Sequence, residues 1–541
     1  MDTCLLASLI APSNPVAHYL HNLFFKDPFR GLYHANGFDL SILIPYFTIL
    51  IILSVYGIHR YALAYLYLKN RRKLPSPHGT FEKLPRVTVQ LPIFNERYVI
   101  ERLLEAVTRL DYPRDLLEIQ VLDDSTDETQ MVCSRLVSAY ASAGYPISYH
   151  HRDHREGFKA GALAEGMKAA TGEFIAIFDA DFVPQPSTLR QMIDYFTDPE
   201  VAVVQGRWTW LNRGYSNLTE VEAILLDGHF VIEHGARNFS GRFFNFNGTA
   251  GMWRRAAIED AGGWQHDTLT EDTDLSYRAQ LRGWKFIYDP RIECPSELPV
   301  EMNAFKAQQA RWAKGLIQTA KKLLPTIWRS PQPLKIKVEA TFHLTANIAY
   351  PLMVLFAVIL LPAMIVRFYQ GWFQMLYLDL PLFLASTCSV STFYMVAQRE
   401  LYPRSWMSRL KYVPFVMATG IGLSLKNSKV VIEALLGKKS EFVRTPKYRV
   451  EGRDGSWESK KYLGRAGWIS AVELSLAAYL LWNVIYSCTI ENYLTTPFLV
   501  LFLMGYSYMG TMSLLQTPMR RLWTTLPALA RVRGRAVSTA S

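Results

Sequence analysis

Asp179 and Asp181 follow a short apolar run at residues 174–178 and are separated by a single alanine. In an extended chain, side chains two positions apart point to the same side, so the two carboxylates can meet one hard cation. Mg²⁺ or Mn²⁺ takes one or two carboxylates and completes its shell with water and phosphate oxygens. The pair therefore predicts a metal that offsets charge on a departing diphosphate. A solvated turn is the alternative, and the position after an apolar strand favours the metal site.

A second acidic pair, Asp123 and Asp124, closes the apolar run at residues 118–122 and precedes a helical stretch. One interpretation is helix capping, in which Asp124 or Ser125 accepts hydrogen bonds from free backbone amides. Because one cap does not need two adjacent acids, we expect one carboxylate to be free to accept from a base or a ribose.

Lys159 lies near the start of a helical stretch, between Gly157 and Gly161. At such a position a diphosphate can meet both a cation and backbone N–H groups. The glycine pair alone is a weak motif. The interpretation of Lys159 as a diphosphate ligand therefore depends on the acidic motifs around it.

Glu271 and Asp272 begin a stretch with helical spacing that stops at Gly283. Compensation of the helix dipole is the structural explanation for acids in a first turn. The functional interpretation is that Asp272 is a general base, which removes the proton of an acceptor hydroxyl as that oxygen attacks an anomeric carbon. On this interpretation the positive end of the helix helps to keep Asp272 ionised.

Residues 303–324 have the pattern of an amphipathic helix that Pro325 is predicted to end. Its polar positions include Lys306, Lys314, Lys321 and Lys322. We expect this helix to lie at a membrane surface. Within it, Arg311 can hold a diphosphate as a fork and Trp312 can present a flat face to a sugar ring. The alternative is that Trp312 is a membrane anchor.

The elements that must position these residues alternate between short apolar runs and helical stretches. The runs are residues 87–91, 118–122, 174–178 and 201–205, and the helical stretches include 97–109, 126–141 and 158–170. This alternation predicts an α/β fold with crossover connections and a mostly parallel sheet. Ligands of such sheets bind at the carboxyl ends of the strands, where Glu96, Asp124 and Asp179 all fall. The acidic motifs are therefore expected in one crevice.

The composition indicates a chain that is partly solvated by lipid. It has 541 residues, of which half are hydrophobic and only 19% are charged. Its 58 Lys+Arg against 47 Asp+Glu give a net charge of +11, which suits anionic lipid and diphosphate ligands. We expect no nucleic-acid partner, because the positive charge collects beside apolar spans. The five cysteines have neither disulfide-framework nor zinc-site spacing.

Five runs are long and apolar enough to cross ~30 Å of hydrocarbon. They are residues 41–59, 342–366, 376–397, 468–488 and 493–515. Lys and Arg follow the first run closely, so the side after it is predicted to be cytoplasmic. The basic segments 398–467 and 516–541 then fall inside, and the loops 368–374 and 489–492, without Lys or Arg, fall outside. The shorter run 412–425 would break this parity, so we interpret it as interfacial or re-entrant.

These patterns predict the following domain organisation. The chain divides into a lead at 1–40 that is interfacial or disordered rather than a signal peptide, a first span at 41–66, an α/β domain at 80–300, an interface helix at 301–330, two spans at 342–397, a cytoplasmic or interfacial segment at 398–467, two spans at 468–515 and a basic tail at 516–541.

Together the motifs resemble those of the family-two glycosyltransferases with a GT-A fold, specifically the processive, membrane-embedded cellulose synthase superfamily. The pattern of that superfamily is D, DxD, TED and Q(Q/R)xRW, and it is matched between about residues 87 and 312. The strings QVLDDSTD at 120–127, FNGTAGMWR at 246–254 and KSEFVRTPK at 439–447 are similar to the cellulose-synthase-like A and C groups. Those groups make β-mannan or glucomannan and the β-glucan backbone of xyloglucan.

The resemblance implies a role for each matching residue. Contacts with the nucleotide sugar are implied for Glu96, Asp123, Asp124, Lys159, Asp179 and Arg311. Contacts with the acceptor are implied for Phe243, Asn247, Gly248, Glu271, Gln308 and Trp312. Asp179 and Asp181 would hold Mg²⁺ or Mn²⁺, and Asp272 would be the catalytic base. Phe442, Thr445 and Lys447 are similar to a gating loop with the motif FxVT, in which Arg444 stands where the motif has valine.

The expected function is that of an inverting, processive β-glycosyltransferase. It would elongate a polysaccharide from GDP-mannose or UDP-glucose on the cytoplasmic side and export the chain through its own spans. The alternative is a membrane enzyme that adds one sugar to a lipid acceptor and has less need of five spans. A transporter or channel subunit with a degenerate catalytic domain is a third candidate, which the intact acids oppose. The expected partners are a nucleotide sugar, a polysaccharide and the bilayer of a bacterial inner membrane, a Golgi or a plasma membrane, with room for accessory subunits.

Overall fold

The structure is a computed structural model that describes residues 34–371, 376–438, 444–453, 455, 457, 460–462 and 467–516. Most of the predicted N-terminal lead, the basic tail from residue 517 and Phe442 of the predicted gating motif lie outside the described residues.

The centre of the soluble part is a seven-stranded sheet with the strand order β3-β2-β1-β4-β6-β5-β7. The strands are β1 Val87–Ile93, β2 Leu117–Asp123, β3 Ile147–His151, β4 Phe174–Ile177, β5 Val201–Trp210, β6 Gly251–Arg254 and β7 Lys285–Ser296. Strand β6 runs antiparallel to β4 and β5, and the other pairings in the sheet are parallel. The four predicted strands are present, which confirms the α/β fold with a mostly parallel sheet.

Helices surround this sheet and continue into the apolar part of the chain. They are α1 Gly37–Asn70, α2 Ile100–Thr108, α3 Thr129–Ser142, α4 Phe158–Ala169, α5 Thr188–Ile193, α6 Asn217–Asp227, α7 Gly235–Phe239, α8 Arg255–Asp260, α9 Glu271–Leu281, α10 Met302–Arg329, α11 Leu334–Thr345, α12 Ala349–Tyr369, α13 Leu376–Phe383, α14 Ser389–Leu401, α15 Trp406–Arg409, α16 Val413–Gly422, α17 Ser424–Leu435, α18 Ile469–Thr489 and α19 Thr496–Gln516.

The sheet has a hydrophobic core on each face, because successive side chains of a strand point in opposite directions. In β4, Ile175 and Ile177 pack with helices α4 and α9 in one core. Phe174 and Ala176 of the same strand pack with α2 and α5 in the other core. This double burial explains why the central strands read as continuous apolar runs rather than as alternating ones.

In the described part of the chain, five helical segments are long and apolar enough to cross a membrane. They are Gly37–Asn70, Leu334–Tyr369, Asp379–Leu401, Ile469–Thr489 and Thr496–Gln516. Each overlaps one of the five predicted runs. The run 412–425 forms the short helix α16 and only the first two residues of α17, and it is not among these segments.

The α/β domain and the first long helix share one core. Leu63 and Tyr67 of α1 are buried in the same cluster as Phe230, Ala236 of α7 and Phe393 of α14. The sheet domain is therefore packed directly onto the long apolar helices.

Helix α10 differs from its prediction in two ways. It continues through Pro325 to Arg329. The proline costs the helix one N–H donor, and the packing of the buried side chains of Leu323 and Ile327 compensates for this loss. The helix is also enclosed by α9, α11 and α17, so that most of its length is not a surface helix. Two of its four predicted polar lysines are buried in ion pairs, Lys306 with Glu473 and Lys314 with Glu433, whereas Lys321 is exposed and Lys322 is half-buried.

Candidate active site

A cleft opens at the carboxyl ends of β1, β2 and β4 and extends to α10. Most of the predicted site residues lie in its wall. They are Glu96, Asp124, Lys159, Asp179, Asp181, Asn247, Gly248, Glu271, Asp272, Gln308, Arg311, Trp312, Thr445 and Lys447. The structure thus brings together motifs that are more than 300 positions apart in the chain, as expected from strand ends that meet at one edge of a sheet.

The two acids of the DxD motif are each held by a lysine. Lys159 Nζ donates to Asp179 Oδ1, and Lys447 Nζ lies 2.8 Å from Asp181 Oδ2. Ser296 Oγ donates to the same Asp181 oxygen at 3.1 Å. Withdrawal from water raises the pKa of Asp179, with Lys159 acting in the opposite direction. For Asp181 the same withdrawal is outweighed by Lys447 and hydrogen bonds, which together lower its pKa.

The donor set of the cleft fits a hard cation that is bound partly by substrate. Among the described residues there is no group of three or more His, Cys, Asp or Glu that could hold a metal ion. Asp179 and Asp181 supply the one or two carboxylates that Mg²⁺ or Mn²⁺ takes when phosphate and water complete its shell. The site therefore suits a metal–diphosphate complex better than a metal held by protein alone.

Asp272 lies in the first turn of α9, and its Oδ1 accepts from the backbone N–H of Thr273 at 2.6 Å. A Cβ placed on Gly248 would lie 3.1 Å from Asp272 Oδ2 and 3.4 Å from Lys159 Nζ, so the three residues border one small space. Burial and the neighbouring Glu271 raise the pKa of Asp272 to about 7. The helix end acts in the expected direction, because the backbone N–H of Thr273 lowers the pKa of Asp272, but burial and the like charge of Glu271 outweigh it.

Glu96 is a second carboxyl of the cleft with an altered pKa. Burial raises the pKa of Glu96 to about 7, and Arg444, whose Nε lies 3.8 Å from Glu96 Oε1, acts against this rise. Arg444 Nη1 also donates to the backbone carbonyl of Phe94 at 2.9 Å. The described part of the predicted gating segment therefore reaches the same wall of the cleft as Glu96.

Both acids at the end of β2 have partners within the protein. The expectation that one of them also accepts from a base or a ribose stays a prediction. Arg152 donates from Nε at 2.7 Å and from Nη2 to the two oxygens of Asp124. Asp123 accepts from the hydroxyl of Tyr149 at 2.7 Å and from the backbone N–H of Ser125 at 2.9 Å. Asp123 holds the turn after β2 and does not line the cleft.

The capping interpretation of this acidic pair needs correction. Helix α3 begins only at Thr129, and the Thr129 N–H bonds to Asp127 Oδ1 at 2.9 Å. Ser125 Oγ instead accepts from the backbone N–H of Asn95 at 2.8 Å, which joins the loops after β1 and β2. The side chains at 124 and 125 are thus too far from the helix start to cap it.

Of Phe243 and Asn247, which were both predicted to contact the acceptor, only Asn247 lines the cleft. Phe243 packs edge-on against Tyr277, with ring centroids 6.1 Å apart, and lies outside the lining of the cleft because it belongs to a small core beside α10. Asn247 does line the cleft and is held from behind by two histidines. Its Oδ1 bonds to His234 Nε2, and its Nδ2 lies 3.0 Å from His229 Nε2.

Helix α10 contributes Gln308, Arg311 and Trp312 to the cleft. Trp312 packs against Leu226 and Leu298 of the α/β domain, which places its ring in the site rather than at a lipid surface. Burial lowers the pKa of Arg311, and the nearby acids oppose this shift. An arginine keeps its charge under such opposition, so Arg311 supplies a cation to the site.

Several cleft residues were not predicted from the sequence. Trp208 and Trp210 at the end of β5 and Glu222 of α6 line the cleft, together with Leu298 beyond β7. A signal for the tryptophans was present, since two aromatics two positions apart at a strand end point to the same side. For Glu222 there was no such signal, because α6 also contains Thr219, Glu220 and Asp227.

The sequence matches known proteins over most of its length. Residues 85–315 match the family model "Glycosyltransferase like family 2". The chain is 35% identical over 451 residues to Glucomannan 4-beta-mannosyltransferase 1 of Oryza sativa subsp. japonica, covering 79% of this chain and 83% of that protein. It is 34% identical over 458 residues to Probable glucomannan 4-beta-mannosyltransferase 11 of Arabidopsis thaliana, covering 80% of this chain and 98% of that protein.

A further match has higher identity over a shorter region. Glucomannan 4-beta-mannosyltransferase 2 of Arabidopsis thaliana is 46% identical over 255 residues, and this alignment spans about half of each chain, 46% of this one and 47% of that one. A solved structure, mannosyltransferase PcManGT from Pyrobaculum calidifontis in complex with GDP-Man and Mn2+, overlaps at a TM-score of 0.46 and 23% identity, covering 66% of this chain and 99% of that chain. On the sequence matches, the chain belongs to the family-two glycosyltransferases, in the group that contains the glucomannan 4-beta-mannosyltransferases.

Proposed function

We propose that this protein is an inverting β-glycosyltransferase that adds mannosyl units to the non-reducing end of a β-linked polysaccharide. The observation that carries the proposal is the convergence of Asp179, Asp272 and Trp312 on one cleft. Membership of the family supports a nucleotide-sugar-dependent hexosyltransferase. The names of the relatives, glucomannan 4-beta-mannosyltransferases, favour GDP-mannose over UDP-glucose as the donor.

The donor would bind at the strand ends. Glu96 and Asp124 line the part of the cleft that follows β1 and β2, where the nucleotide would be held. Lys159 and Arg311 are the cations that would meet the diphosphate, because both lie among the acids of the cleft and both are withdrawn from water. Asp123 would support this site through the turn after β2 rather than by contact.

Asp179 and Asp181 would hold the Mg²⁺ or Mn²⁺ of the site. When bound, such a cation supplies positive charge to a leaving diphosphate. Lys159 and Lys447 neutralise the same two carboxylates in the structure, which keeps two neighbouring acids compatible with a partly buried position.

Transfer would begin when Asp272 accepts the proton of an acceptor hydroxyl. The freed oxygen forms a bond to the anomeric carbon on the face opposite the diphosphate, and the bond from that carbon to the diphosphate oxygen breaks, which inverts the configuration. Asp272 ends the step protonated, and the diphosphate leaves with its negative charge facing Lys159 and Arg311. A base with a pKa of about 7 suits this task at neutral pH.

The acceptor chain would lie along Asn247, Gly248, Glu271, Gln308 and Trp312. A flat indole beside the reacting centre would hold the terminal sugar between additions, which favours repeated elongation over release. Phe243 would act only indirectly, through Tyr277. Thr445 and Lys447 belong to the segment that we infer to gate the cleft.

The long helices would place this chemistry at a bilayer. We infer that the α/β domain at 80–300 faces the cytoplasm, that five spans cross the membrane, and that the product leaves through these spans. The distribution of Lys and Arg between the predicted loops supports this orientation.

The experiment that tests the proposal offers purified, detergent-solubilised protein GDP-mannose or UDP-glucose in separate reactions with Mg²⁺ or Mn²⁺. We expect a polymer from GDP-mannose that an endo-β-mannanase digests and a β-glucanase does not. A glucanase-sensitive product would overturn the assignment of mannose. A labelled product that extracts into organic solvent would instead support single addition to a lipid, and no transfer from either donor would overturn the function.

A further inference from the structure

Glu222 is a carboxyl of the cleft to which neither the family motifs nor the mechanism above gives a role. It lies in the middle of α6, has 0% exposure and lines the cleft. Among the described residues, neither Glu222 Oε1 nor Oε2 has a hydrogen-bond partner. Asp179 and Asp181 differ in this respect, since both are paired with lysines.

A buried carboxyl without a hydrogen-bond partner lowers the stability of the protein when no ligand is bound. A buried polar group without a hydrogen bond loses its contacts with water and gains nothing in return. Burial accordingly raises the pKa of Glu222 well above its ordinary value, against the opposing charge of Lys447. Burial favours the protonated form of Glu222, and in that form the carboxyl can both donate and accept a hydrogen bond.

The neighbours of Glu222 form an aromatic wall. Leu226, one helical turn further along α6 and on the same side, packs against Trp210, Trp312 and Leu298. The Trp210 Nε1–H is already used by Asp227 Oδ1, at 2.9 Å, so this residue offers ring surface rather than a hydrogen bond.

A second polar atom of this wall is also without a partner. Trp208, two positions before Trp210 on β5, packs against Phe182 and Phe230, and its buried Nε1 has no hydrogen-bond partner in the described part of the chain. Flat apolar rings with a few unsatisfied hydrogen-bonding groups between them match a pyranose, which has apolar C–H faces and hydroxyls at its edge.

We propose that Glu222 binds a hydroxyl group of the acceptor chain and, with Trp208, Trp210 and Trp312, forms a pyranose subsite. The inference rests on the proposed function, because it requires a sugar chain in the cleft. Glu222 is in this role a residue that positions the acceptor and determines specificity, and it takes no part in the proton transfer at Asp272.

The test compares the variants Glu222→Leu and Glu222→Gln of the full-length protein, with a β-1,4-mannan oligosaccharide as acceptor. Leu removes the hydrogen-bonding atoms and keeps the volume, so we expect the KM for the acceptor to rise about fivefold or more, which is the loss of one hydrogen bond. Gln keeps an acceptor and a donor at the same place, so we expect a KM within about threefold of wild type. We expect the Kd for GDP-mannose to remain within about twofold in both variants.

The Tm is a second measurement, because a residue that only supported the fold would lower the Tm when it is replaced. Because none of the described residues is hydrogen-bonded to the Glu222 carboxyl, Glu222→Leu should have a Tm equal to or above that of wild type. The matched control is Thr188→Val on α5, which removes another fully buried oxygen without a described partner, at a site outside the cleft lining. Thr188→Val should leave the KM for the acceptor unchanged.

The outcomes separate this inference from the function on which it rests. An unchanged acceptor KM in Glu222→Leu, or a lower Tm in that variant, overturns the role of Glu222 while wild-type transfer still supports the proposed function. A rise in acceptor KM that Glu222→Gln shares equally would also overturn it. Failure of the wild-type protein to transfer sugar would overturn the proposed function itself.

Discussion

Lys306 of α10 and Glu473 of α18 form a buried ion pair, in which Lys306 Nζ lies 2.7 and 2.8 Å from the two carboxylate oxygens. The hydroxyl of Ser513 on α19 lies 3.1 Å from the same Nζ. The side chains of Lys306 and Glu473 are 6% and 0% exposed. Helix α10, which carries Gln308 and Trp312, is therefore fastened to both of the last two long helices.

Removal of one member of this pair should destabilise the protein strongly. Glu473→Leu leaves the Lys306 ammonium buried without its counter-charge, which costs roughly 3–5 kcal/mol in comparable pairs. We expect a Tm lower by several degrees, measured by intrinsic fluorescence in detergent. The double variant Lys306→Met with Glu473→Leu should regain most of that loss, because an apolar pair can replace a buried ion pair.

An exposed ion pair provides the control for this comparison. Glu105→Ala breaks the pair with Arg109 on the surface, where the two side chains are 47% and 68% exposed, and it should change the stability by only about 0.3–0.5 kcal/mol. If Glu473→Leu were no worse than Glu105→Ala, the buried pair would not be what fastens α10.

The pH dependence of transfer should follow Asp272. The base must be deprotonated to accept a proton, and its pKa is about 7, so the rate should rise as the pH increases from 6 to 8. Glu271 raises that pKa by repulsion, so Glu271→Gln should move the midpoint to lower pH. The measurement is kcat/KM for the acceptor across this pH range.

Two further variants test the assignment of this titration. Asp272→Asn should lower the rate by roughly 10²–10⁴-fold, the usual contribution of a general base. Glu96 has a similar pKa of about 7, and Glu96→Gln should leave the midpoint in place even if donor binding weakens. A midpoint that moved with Glu96→Gln and not with Glu271→Gln would assign the titration to Glu96 instead.

Much of the α/β domain could be predicted because its signals are local. The central strands are buried on both faces, so β1, β2 and β4 appear in the sequence as apolar runs. Strand β7 was missed because Pro290 and Pro295 and several charged residues interrupt its pattern. Strand β6 was missed because its four residues are too few to show a period. The convergence of the acids at the strand ends followed from the parallel direction of β1, β2 and β4, because the carboxyl ends of parallel strands meet at one edge of the sheet.

The errors concern contacts between segments that are distant in the chain. Nothing near Asp124 in the sequence shows that its carboxylate accepts hydrogen bonds from Arg152. The arginine follows β3, and the pairing of β3 with β2 brings it next to Asp124. In the same way, the polar positions of α10 appeared to face water, whereas Glu473, 167 positions later, accepts Lys306 within the protein. A charged residue at a helical polar position can thus indicate a buried partner as well as solvent.

Trp312 should determine the length of the product. In Trp312→Ala the terminal sugar loses an aromatic face worth about 0.5–1.5 kcal/mol, so the chain should dissociate earlier and the polymer should become shorter. Binding of GDP-mannose should survive. The matched control is Trp328→Ala on the same helix, because Trp328 is 47% exposed and does not line the cleft. If polymer length, measured by size-exclusion chromatography, changed only with Trp328→Ala, α10 would act through its surface and not through the cleft.

Gly248 should tolerate no side chain, because it borders the space between the proposed base Asp272 and the ammonium group of Lys159. Its φ of +79° favours glycine, and a Cβ there would lie 3.1 Å from Asp272 Oδ2. Gly241 has a similar φ of +65°, but the nearest atom to its Cβ would be Lys335 Nζ at 3.7 Å. Gly241→Ala and Gly248→Ala therefore share a backbone penalty of roughly 1–2 kcal/mol, and only Gly248→Ala crowds Asp272.

We expect similar losses of Tm in the two variants. The rate of sugar transfer should fall by at least about tenfold in Gly248→Ala alone, since a misplacement of about 1 Å at a reacting centre can cost 10²-fold. Equal activity in the two variants would place the acceptor hydroxyl away from Gly248.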